Sequence, residues 1–279
     1  MRTAGSSAGL PKLATGLCTA LLLLSCSATA QQRDIVLATT TSTRDAGLLD
    51  SLLPVFESQS GYRVKVIAVG TGQAIQMARR GDAEVVLVHA PELEQAMVDS
   101  GYFVRRRRVM HNDFLFVGPA RDTANLRGGR DAVAALRAIA SAGAPFVSRS
   151  DRSGTHLREL ELWRLAGQTP PPPCAWYIEA GQGMAATLQM ADEKHAYTIT
   201  DRSTFLVWQP KLELVPLVEG DTLLHNVYHV MEVPRAGPGA RALANFFVSP
   251  EAQEIIARFG LGRFGRPLFI PDARQPDRW

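Results

Sequence analysis

Four times along this chain, an apolar run ends in a turn rich in glycine, serine or threonine, and an amphipathic helix follows. The first apolar run spans 35–38 and leads into five consecutive hydroxyl side chains at 39–43. A helix is then predicted over 46–56, because leucine and phenylalanine recur there at spacings of three and four residues. This alternation of strand, turn and helix predicts an α/β fold, and the near-continuous apolar run at 84–89 is typical of a strand covered on both faces.

The other three turns follow strands predicted at 64–69, 146–147 and 176–179. Each combines glycine with polar side chains directly before a predicted helix. Their sequences are Gly70-Thr71-Gly72, Ser148-Arg149-Ser150-Asp151-Arg152-Ser153-Gly154-Thr155 and Gly181-Gln182-Gly183.

Turns of this kind are suited to bind an anion. The first N–H groups of a helix have no partner within it, and the helix dipole adds roughly half a positive charge there. Four such ends sum to about +2, which offsets a dianion. For a turn taken alone, the alternative is that one hydroxyl caps the helix and the others line a solvated loop. The residues that we predict to bind the anion are Thr40, Thr41, Ser42, Thr71, Gly72, Arg149, Ser153, Gly154, Thr155 and Gly183.

The first thirty residues predict export through a signal peptide, and therefore a periplasmic location. Arg2 and Lys12 precede an apolar run at 21–24, and Ala28-Thr29-Ala30 satisfies the small-residue rule for cleavage. The alternative is lipoprotein processing with a lipid on Cys26. We favour cleavage after residue 30 because the first predicted strand begins only a few residues later, which leaves a short tether for an anchored protein.

Composition excludes several classes of function. Without Arg2 and Lys12 the formal net charge falls from +3 to about +1, which does not indicate a nucleic acid as a partner. Cys174 would be the one cysteine after the leader, so neither an intrachain disulfide nor a thiolate metal cluster is expected. No later segment reaches the eighteen or more apolar residues of a membrane span.

The length and the order of the predicted elements indicate two α/β lobes. Lobe I would comprise 31–117 and, after the chain returns, 223–279, and lobe II would comprise 118–222. Crossover segments near 114–118 and 219–228 would form a hinge. Such a protein closes on a ligand held between its lobes.

At this point the chain also resembles a known family, the tungstate-binding component of bacterial tungstate ABC transporters. The similarity covers essentially the whole mature chain, and the run of threonines followed by serine is fairly specific. The segments that carry the resemblance are 39–43, Val69 to Ala74, Gly81 to Pro91, Ser148 to Thr155, Gly181 to Met184 and Ala196 to Arg202.

The resemblance implies a two-lobed type II periplasmic binding protein with a hinge of two crossover strands. Such a protein captures tungstate, or molybdate, and delivers it to a membrane permease and its ATPase. It implies no enzyme activity, no cofactor and no free metal cation, because tungsten is bound as its oxyanion, and we expect a monomer. One residue departs from the pattern: Ser150 stands where we expect glycine.

A phosphate-binding protein of an ABC transporter is the main alternative. The spacing of Arg149, Asp151, Ser153, Gly154 and Thr155 is similar to the motif that phosphate-binding proteins use. Phosphate keeps a proton near neutral pH and needs an acceptor, which Asp151 would supply, whereas tungstate needs donors only. The hydroxyl-rich turn at the first strand therefore favours tungstate.

Two enzyme classes are less well supported. Gly181, Gly183 and Ala186, with Asp201 twenty residues after the first glycine, imitate a dinucleotide-binding fingerprint of a nucleotide-dependent oxidoreductase. The predicted export argues against that reading, because nicotinamide cofactors are not normally free outside the cytoplasm. A secreted hydrolase lacks both a Gly-x-Ser-x-Gly elbow and histidines at metal-ligand spacing.

Two further features have ordinary structural interpretations. The basic run at 105–108 is interpreted as a solvated turn. His89, which ends the strand at 84–89, is interpreted as a hydrogen-bonded structural residue and not as a ligand.

Overall fold

The computed structural model describes residues 34–168 and 175–276. The predicted signal peptide, Cys26 and Cys174 lie outside these residues. Within them, no helix is both long enough and apolar enough to cross a membrane.

Strands and helices alternate through most of the described chain, as the sequence predicts for an α/β protein. The strands are β1 (Asp34–Thr40), β2 (Arg63–Val69), β3 (Val85–Val88), β4 (Val104–Gly118), β5 (Phe146–Ser148), β6 (Tyr177–Glu179), β7 (Thr198–Asp201), β8 (Val215–Val218), β9 (His225–Glu232) and β10 (Ile270–Pro271). The helices are α1 (Thr41–Asp45), α2 (Leu48–Ser60), α3 (Thr71–Arg80), α4 (Pro91–Asp99), α5 (Ala132–Ala142), α6 (Gly154–Leu165), α7 (Met184–Glu193), α8 (Arg202–Trp208), α9 (Pro238–Phe247), α10 (Pro250–Arg258) and α11 (Leu261–Phe264).

One mixed sheet has the strand order β10-β4-β9-β3-β1-β2, and a separate small sheet pairs β5 with β6 in parallel. In the larger sheet, β1 lies between the parallel neighbours β2 and β3, whereas β9 is antiparallel to both β3 and β4. The carboxyl ends of β1, β2 and β3 therefore meet at one edge. Two of the four predicted turns, those after β1 and β2, lie at this edge.

β4 is shared between two sets of partners. Its first part, residues 104–113, pairs with β9, and its last part, residues 114–118, pairs with β7 and β8. The change of partner falls between Asp113 and Phe114. Both predicted crossover segments, the end of β4 and the entry to β9, lie beside this point.

The buried apolar side chains follow the same division. Clusters around Leu37, Leu52 and Phe247 and around Ala74 and Val86 draw their residues from 35–110 and 228–269. Clusters around Trp163 and Leu188 draw theirs from 114–224. The predicted domain limits stay a prediction, but each predicted lobe contains apolar clusters of its own.

The helix predicted over 46–56 corresponds to α2, and a short helix that was not predicted precedes it. Thr41–Asp45 already forms the short α1, and Gly47, in the left-handed conformation at φ 81°, separates it from α2. The hydroxyl residues therefore start α1, while the amphipathic stripe of leucines belongs to α2.

The interpretation of residues 105–108 as a solvated turn is wrong. These arginines lie within β4, and their guanidinium groups pair with carboxylates that are buried beneath the strand. The pairs join Arg105 and Arg107 to Glu232, Arg106 to Glu94, and Arg108 to Asp272. A run of like charges is stable in a strand here because each has an acid from another element opposite it.

Candidate functional site

The turn after β1 is built by its own hydroxyl groups. Thr40 caps α1, and its Oγ1 accepts from the backbone N–H of Thr43 at 3.4 Å. The same oxygen lies 2.7 Å from Thr43 Oγ1 and 3.1 Å from Ser42 Oγ. Thr40, Ser42 and Thr43 are buried. The hydroxyl of Thr40 is thus engaged within the turn, whereas that of Thr41 faces another part of the chain.

Arg149 is the group that Thr41 faces. Its side chain is only 1 % exposed, and its three guanidinium nitrogens each donate to a different partner. Nη2 donates to Thr41 Oγ1 at 3.1 Å, Nη1 to Thr155 Oγ1 at 3.4 Å and Nε to Asp151 Oδ2 at 2.9 Å. A buried guanidinium in such a fixed fork is suited to an oxyanion, because it can only donate.

The carboxylate of Asp151 is held by donors on both oxygens. Oδ2 accepts from Arg149, and Oδ1 accepts from the backbone N–H of Ser153 at 3.0 Å. Ser153 in turn caps α6 by accepting from the N–H of His156. Asp151 therefore serves to shape the turn and to pair with the guanidinium.

The backbone at Ser150 explains why glycine is expected there. Ser150 has φ 50° and Arg152 has φ 57°, both in the left-handed region that favours glycine. Ser150 Oγ donates to Glu179 Oε1 at 3.0 Å, so a side-chain contact accompanies the unfavourable conformation.

The start of α3 lies directly against this turn. A Cβ atom placed on Gly70 would lie 3.2 Å from the carbonyl oxygen of Asp151, and one on Gly72 would lie 3.9 Å from that of Arg152. Between these glycines, Thr71 is fully buried, and its Oγ1 has no hydrogen-bond partner among the described residues. A buried hydroxyl without a partner costs free energy unless a ligand satisfies it.

The fourth turn reaches the first one. A Cβ atom on Gly183, which precedes α7, would lie 3.8 Å from Thr41 Oγ1. Contacts thus connect the first turn to the third and the fourth, and the second turn to the third. The structure therefore gathers the four predicted turns, with the N-termini of α3, α6 and α7, around one buried location. Within it, Thr71, Ser153 and Thr155 have no solvent exposure.

Two aromatic side chains at this location were not predicted as part of it. His89 is buried against the third turn, and a Cβ atom on Gly154 would lie 2.5 Å from its Nδ1. The ring centroid of Tyr228 lies 4.7 Å from that of His89. The sequence places His89 at the end of a buried strand, beside the turns after β1 and β2, whereas β9 carries no sign that Tyr228 would return there.

The imidazole of His89 stays neutral at ordinary pH. Burial lowers its pKa to about 4, and the charge of Arg149 acts in the same direction, while the opposing effect of Asp201 is smaller than that of burial. Neither ring nitrogen has a hydrogen-bond partner of ordinary distance and angle among the described residues, whereas Asn226 acts on the ring as a hydrogen-bonding group that raises its pKa. A neutral ring adds no repulsion to the neighbouring guanidinium.

No cluster of three or more His, Cys, Asp or Glu within residues 34–168 and 175–276 could hold a metal ion. The groups that can donate to a ligand at the site are hydroxyls, backbone N–H groups and the guanidinium of Arg149, and such donors bind anions.

Comparison with known proteins identifies the superfamily of the chain and several similar proteins. The model of the PBP superfamily domain matches residues 26–251. The chain is 45% identical over 249 residues to the tungstate-binding protein TupA of Peptoclostridium acidaminophilum, and the alignment covers 86% of each protein.

Two solved structures are similar in both sequence and fold. The tungstate ABC transporter structure from Geobacter sulfurreducens is 44% identical, with a TM-score of 0.73 over 81% of this chain and 98% of that one. The tungstate-binding protein TupA from Desulfovibrio alaskensis G20 is 41% identical, with a TM-score of 0.72 over 86% of this chain and 99% of that one. These similarities confirm the predicted fold class.

Proposed function

The chain belongs to the PBP superfamily, and from that premise we propose that it is the substrate-binding protein of an ABC transporter for tungstate. The three relatives described above, each named for tungstate, are more than 40% identical to it over most of both chains. The predicted anion-binding residues and these relatives support the same ligand, a tetrahedral oxyanion.

The observation that carries the proposal is the hydroxyl of Thr71. It is buried, it has no protein partner among the described residues, and it lies at the start of α3 against the turn of Arg149. An anion oxygen placed there would accept from Thr71 and from the neighbouring N–H groups of α3. A hydrogen bond to a charged group contributes roughly 1.5–3 kcal/mol, so this single contact matters for affinity.

The engagement of Asp151 favours tungstate over phosphate. Monoprotonated phosphate needs an acceptor for its proton, and Asp151 is the acidic side chain within the turn. Its two oxygens already accept hydrogen bonds from Arg149 and Ser153, so the carboxylate is less available to accept the proton of phosphate. Phosphate binding stays the second candidate because each carboxylate oxygen retains further lone pairs.

The remaining parts of the proposal concern the cellular role. We infer that the protein works in the periplasm as a monomer without a cofactor, that it also accepts molybdate, and that it catalyses no reaction. It would close its two lobes on the anion and deliver it to a permease and its ATPase. Burial of the site supports closure, because an anion could not reach fully buried hydroxyls unless the protein opened.

A thermal-shift panel tests the assignment at low cost. The mature protein is heated with tungstate, molybdate, sulfate or phosphate at equal concentrations. A ligand that binds only the folded state raises the melting temperature, and the rise increases with affinity. We expect large rises with tungstate and molybdate and small ones with sulfate and phosphate. A rise with phosphate alone would assign the protein to phosphate.

A further inference from the structure

A buried carboxyl group, that of Glu159, lies directly behind the turn that carries Arg149. Its side chain belongs to α6, and the residue is 1 % exposed. Oε2 accepts from Ser148 Oγ at 2.9 Å, and Oε1 accepts from the hydroxyl of Tyr177 at 2.8 Å. The carboxyl thus joins three elements, namely α6, the end of β5 and the start of β6.

These contacts connect Glu159 to the anion site through residues that are adjacent to Arg149 in the chain or in space. Ser148 is the residue immediately before Arg149, and the backbone of Arg149 itself acts on the carboxyl. Glu159 also lies on the helix whose N-terminus begins at Gly154, within the predicted site. Tyr177 is the first residue of β6 and is paired in register with Phe146 of β5. A change in the charge or hydrogen bonds of this carboxyl would therefore alter the position of the Arg149 guanidinium and of the start of α6.

We propose that Glu159 is a positioning residue for the anion site: it fixes the backbone that carries Arg149, and its charge state sets the affinity for the anion. This proposal rests on the proposed function. Glu159 would not touch the anion, since Ser148 and Tyr177 occupy its oxygens.

The ionisation of Glu159 falls within the physiological range. Burial raises the pKa of its carboxyl to about 7, although the hydrogen bonds from Tyr177 and Ser148 oppose the shift. Above that pH the group carries a negative charge behind a site that binds a dianion. The anion therefore favours the protonated form, so binding takes up protons, and affinity falls as the pH rises.

The groups that act directly on Glu159 are the hydroxyls of Tyr177 and Ser148, the side chain of Trp163 and the backbone of Arg149. The same elements carry further titratable or charged residues: His156 precedes Glu159 in α6, Asp151 lies in the turn before α6, and Glu179 ends β6. Burial lowers the pKa of His156 and raises that of Tyr177. These directions favour the neutral imidazole of His156 and keep the proton on the hydroxyl of Tyr177.

The test is titration calorimetry with sodium tungstate between about pH 6.5 and 8.5, in two buffers of different ionisation enthalpy. A rise of about one unit in the pKa of Glu159 on binding corresponds to a roughly tenfold change in affinity. We expect the wild-type protein to lose most of that affinity, about sixfold, across this range and to take up a fraction of a proton on binding. Glu159→Gln should show neither effect.

Two further variants make the result specific. Glu161→Gln changes a half-buried carboxylate on the same helix that pairs with Arg158, and it should behave as wild type. Tyr177→Phe removes a hydrogen bond that lowers the pKa of Glu159, so its binding profile should move to higher pH. If Glu159→Gln does not fold, the Tyr177→Phe variant tests the proposal instead, through the shift of its pH profile of tungstate binding to higher pH.

Tungstate binding with no pH dependence in the wild-type protein would overturn the role of Glu159 and leave the proposed function intact. The same slope in Glu159→Gln as in wild type would also overturn it. Absence of tungstate binding at every pH would instead contradict the proposed function, and the inference with it.

Discussion

Nη2 of Arg149 donates to Thr41 Oγ1 across 3.1 Å and joins two turns that are 108 residues apart in the chain. Thr41 follows a strand of the larger sheet, whereas Arg149 follows a strand of the small one. The guanidinium thus connects the two halves of the predicted anion site.

Arg149→Lys should weaken tungstate binding by about tenfold or more. Lysine keeps the charge but cannot donate from three fixed nitrogens to Thr41, Thr155 and Asp151 at once. Losing one charge-assisted hydrogen bond costs roughly 1.5–3 kcal/mol. Calorimetry measures the loss, and Arg152→Ala, an exposed change on the same turn, serves as the control. Equal affinity in Arg149→Lys and wild type would remove the guanidinium from the site.

Thr71→Val should separate affinity from stability. Valine fills the same volume, and the lost hydroxyl has no partner among the described residues, so the free protein should be at least as stable as wild type. Tungstate affinity should fall by about tenfold or more, because one donor to the anion is lost.

The control is Thr198→Val. Thr198 Oγ1 donates to the carbonyl of Val147 at 2.7 Å, so this change should cost about 1 kcal/mol of stability and little affinity. Chemical denaturation and calorimetry on both variants provide the comparison. If Thr71→Val bound tungstate normally, Thr71 would not be a ligand.

Gly154→Ala should prevent closure. The added Cβ would lie 2.5 Å from His89 Nδ1 and 2.6 Å from the carbonyl oxygen of His89, and a backbone atom cannot move aside cheaply. His89 follows β3 and Gly154 starts α6, so the clash would keep these two elements apart. Small-angle scattering should show that tungstate compacts wild type and Gly262→Ala, whose Cβ meets nothing within 4 Å, but not Gly154→Ala. An unchanged radius of gyration in tungstate-bound wild type would argue against a closing protein.

Glu159 should make the folded state less stable as the pH rises. Its pKa of about 7 in the folded protein exceeds the ordinary value of 4.5, so its favourable contribution is complete below about pH 4.5 and is lost as the pH rises through 7. A difference of this size corresponds to a contribution on the order of 3 kcal/mol. Denaturation of wild type and Glu159→Gln at several pH values measures it. Parallel stability curves would show that the carboxyl does not titrate with a raised pKa.

The four turns were predictable because each is local. Glycine and hydroxyl residues directly after an apolar run define a strand-to-helix turn, whatever the rest of the chain does. The residues named at those turns, such as Thr71 and Arg149, follow strands of two different sheets, and contacts such as that of Gly70 with Asp151 bring them together.

The features that the sequence did not predict depend on packing between distant elements. Residues 105–108 lie in a strand that pairs with β9, and their charges are paired with Glu232, Glu94 and Asp272, which no local pattern places there. Glu159 and Glu161 are nearly equivalent in sequence, and only the packing of α6 on β5 and β6 buries the former. The burial of Glu159 and the pairing of residues 105–108 can therefore be assigned only from the three-dimensional structure.

The most direct test of the account is competition calorimetry at neutral pH, in which tungstate is titrated into the mature protein in the presence of excess phosphate or sulfate. The site offers donors, while the oxygens of Asp151 are engaged by Arg149 and Ser153. An anion with no proton should therefore bind far more tightly than phosphate. Donors spaced for longer metal–oxygen bonds should leave sulfate poorly paired, and two unpaired donors at about 2 kcal/mol each give close to a thousandfold discrimination. We expect tungstate binding to be nearly unaffected by either competitor. Displacement of tungstate by phosphate would contradict the account and make Asp151 an acceptor for the ligand's proton.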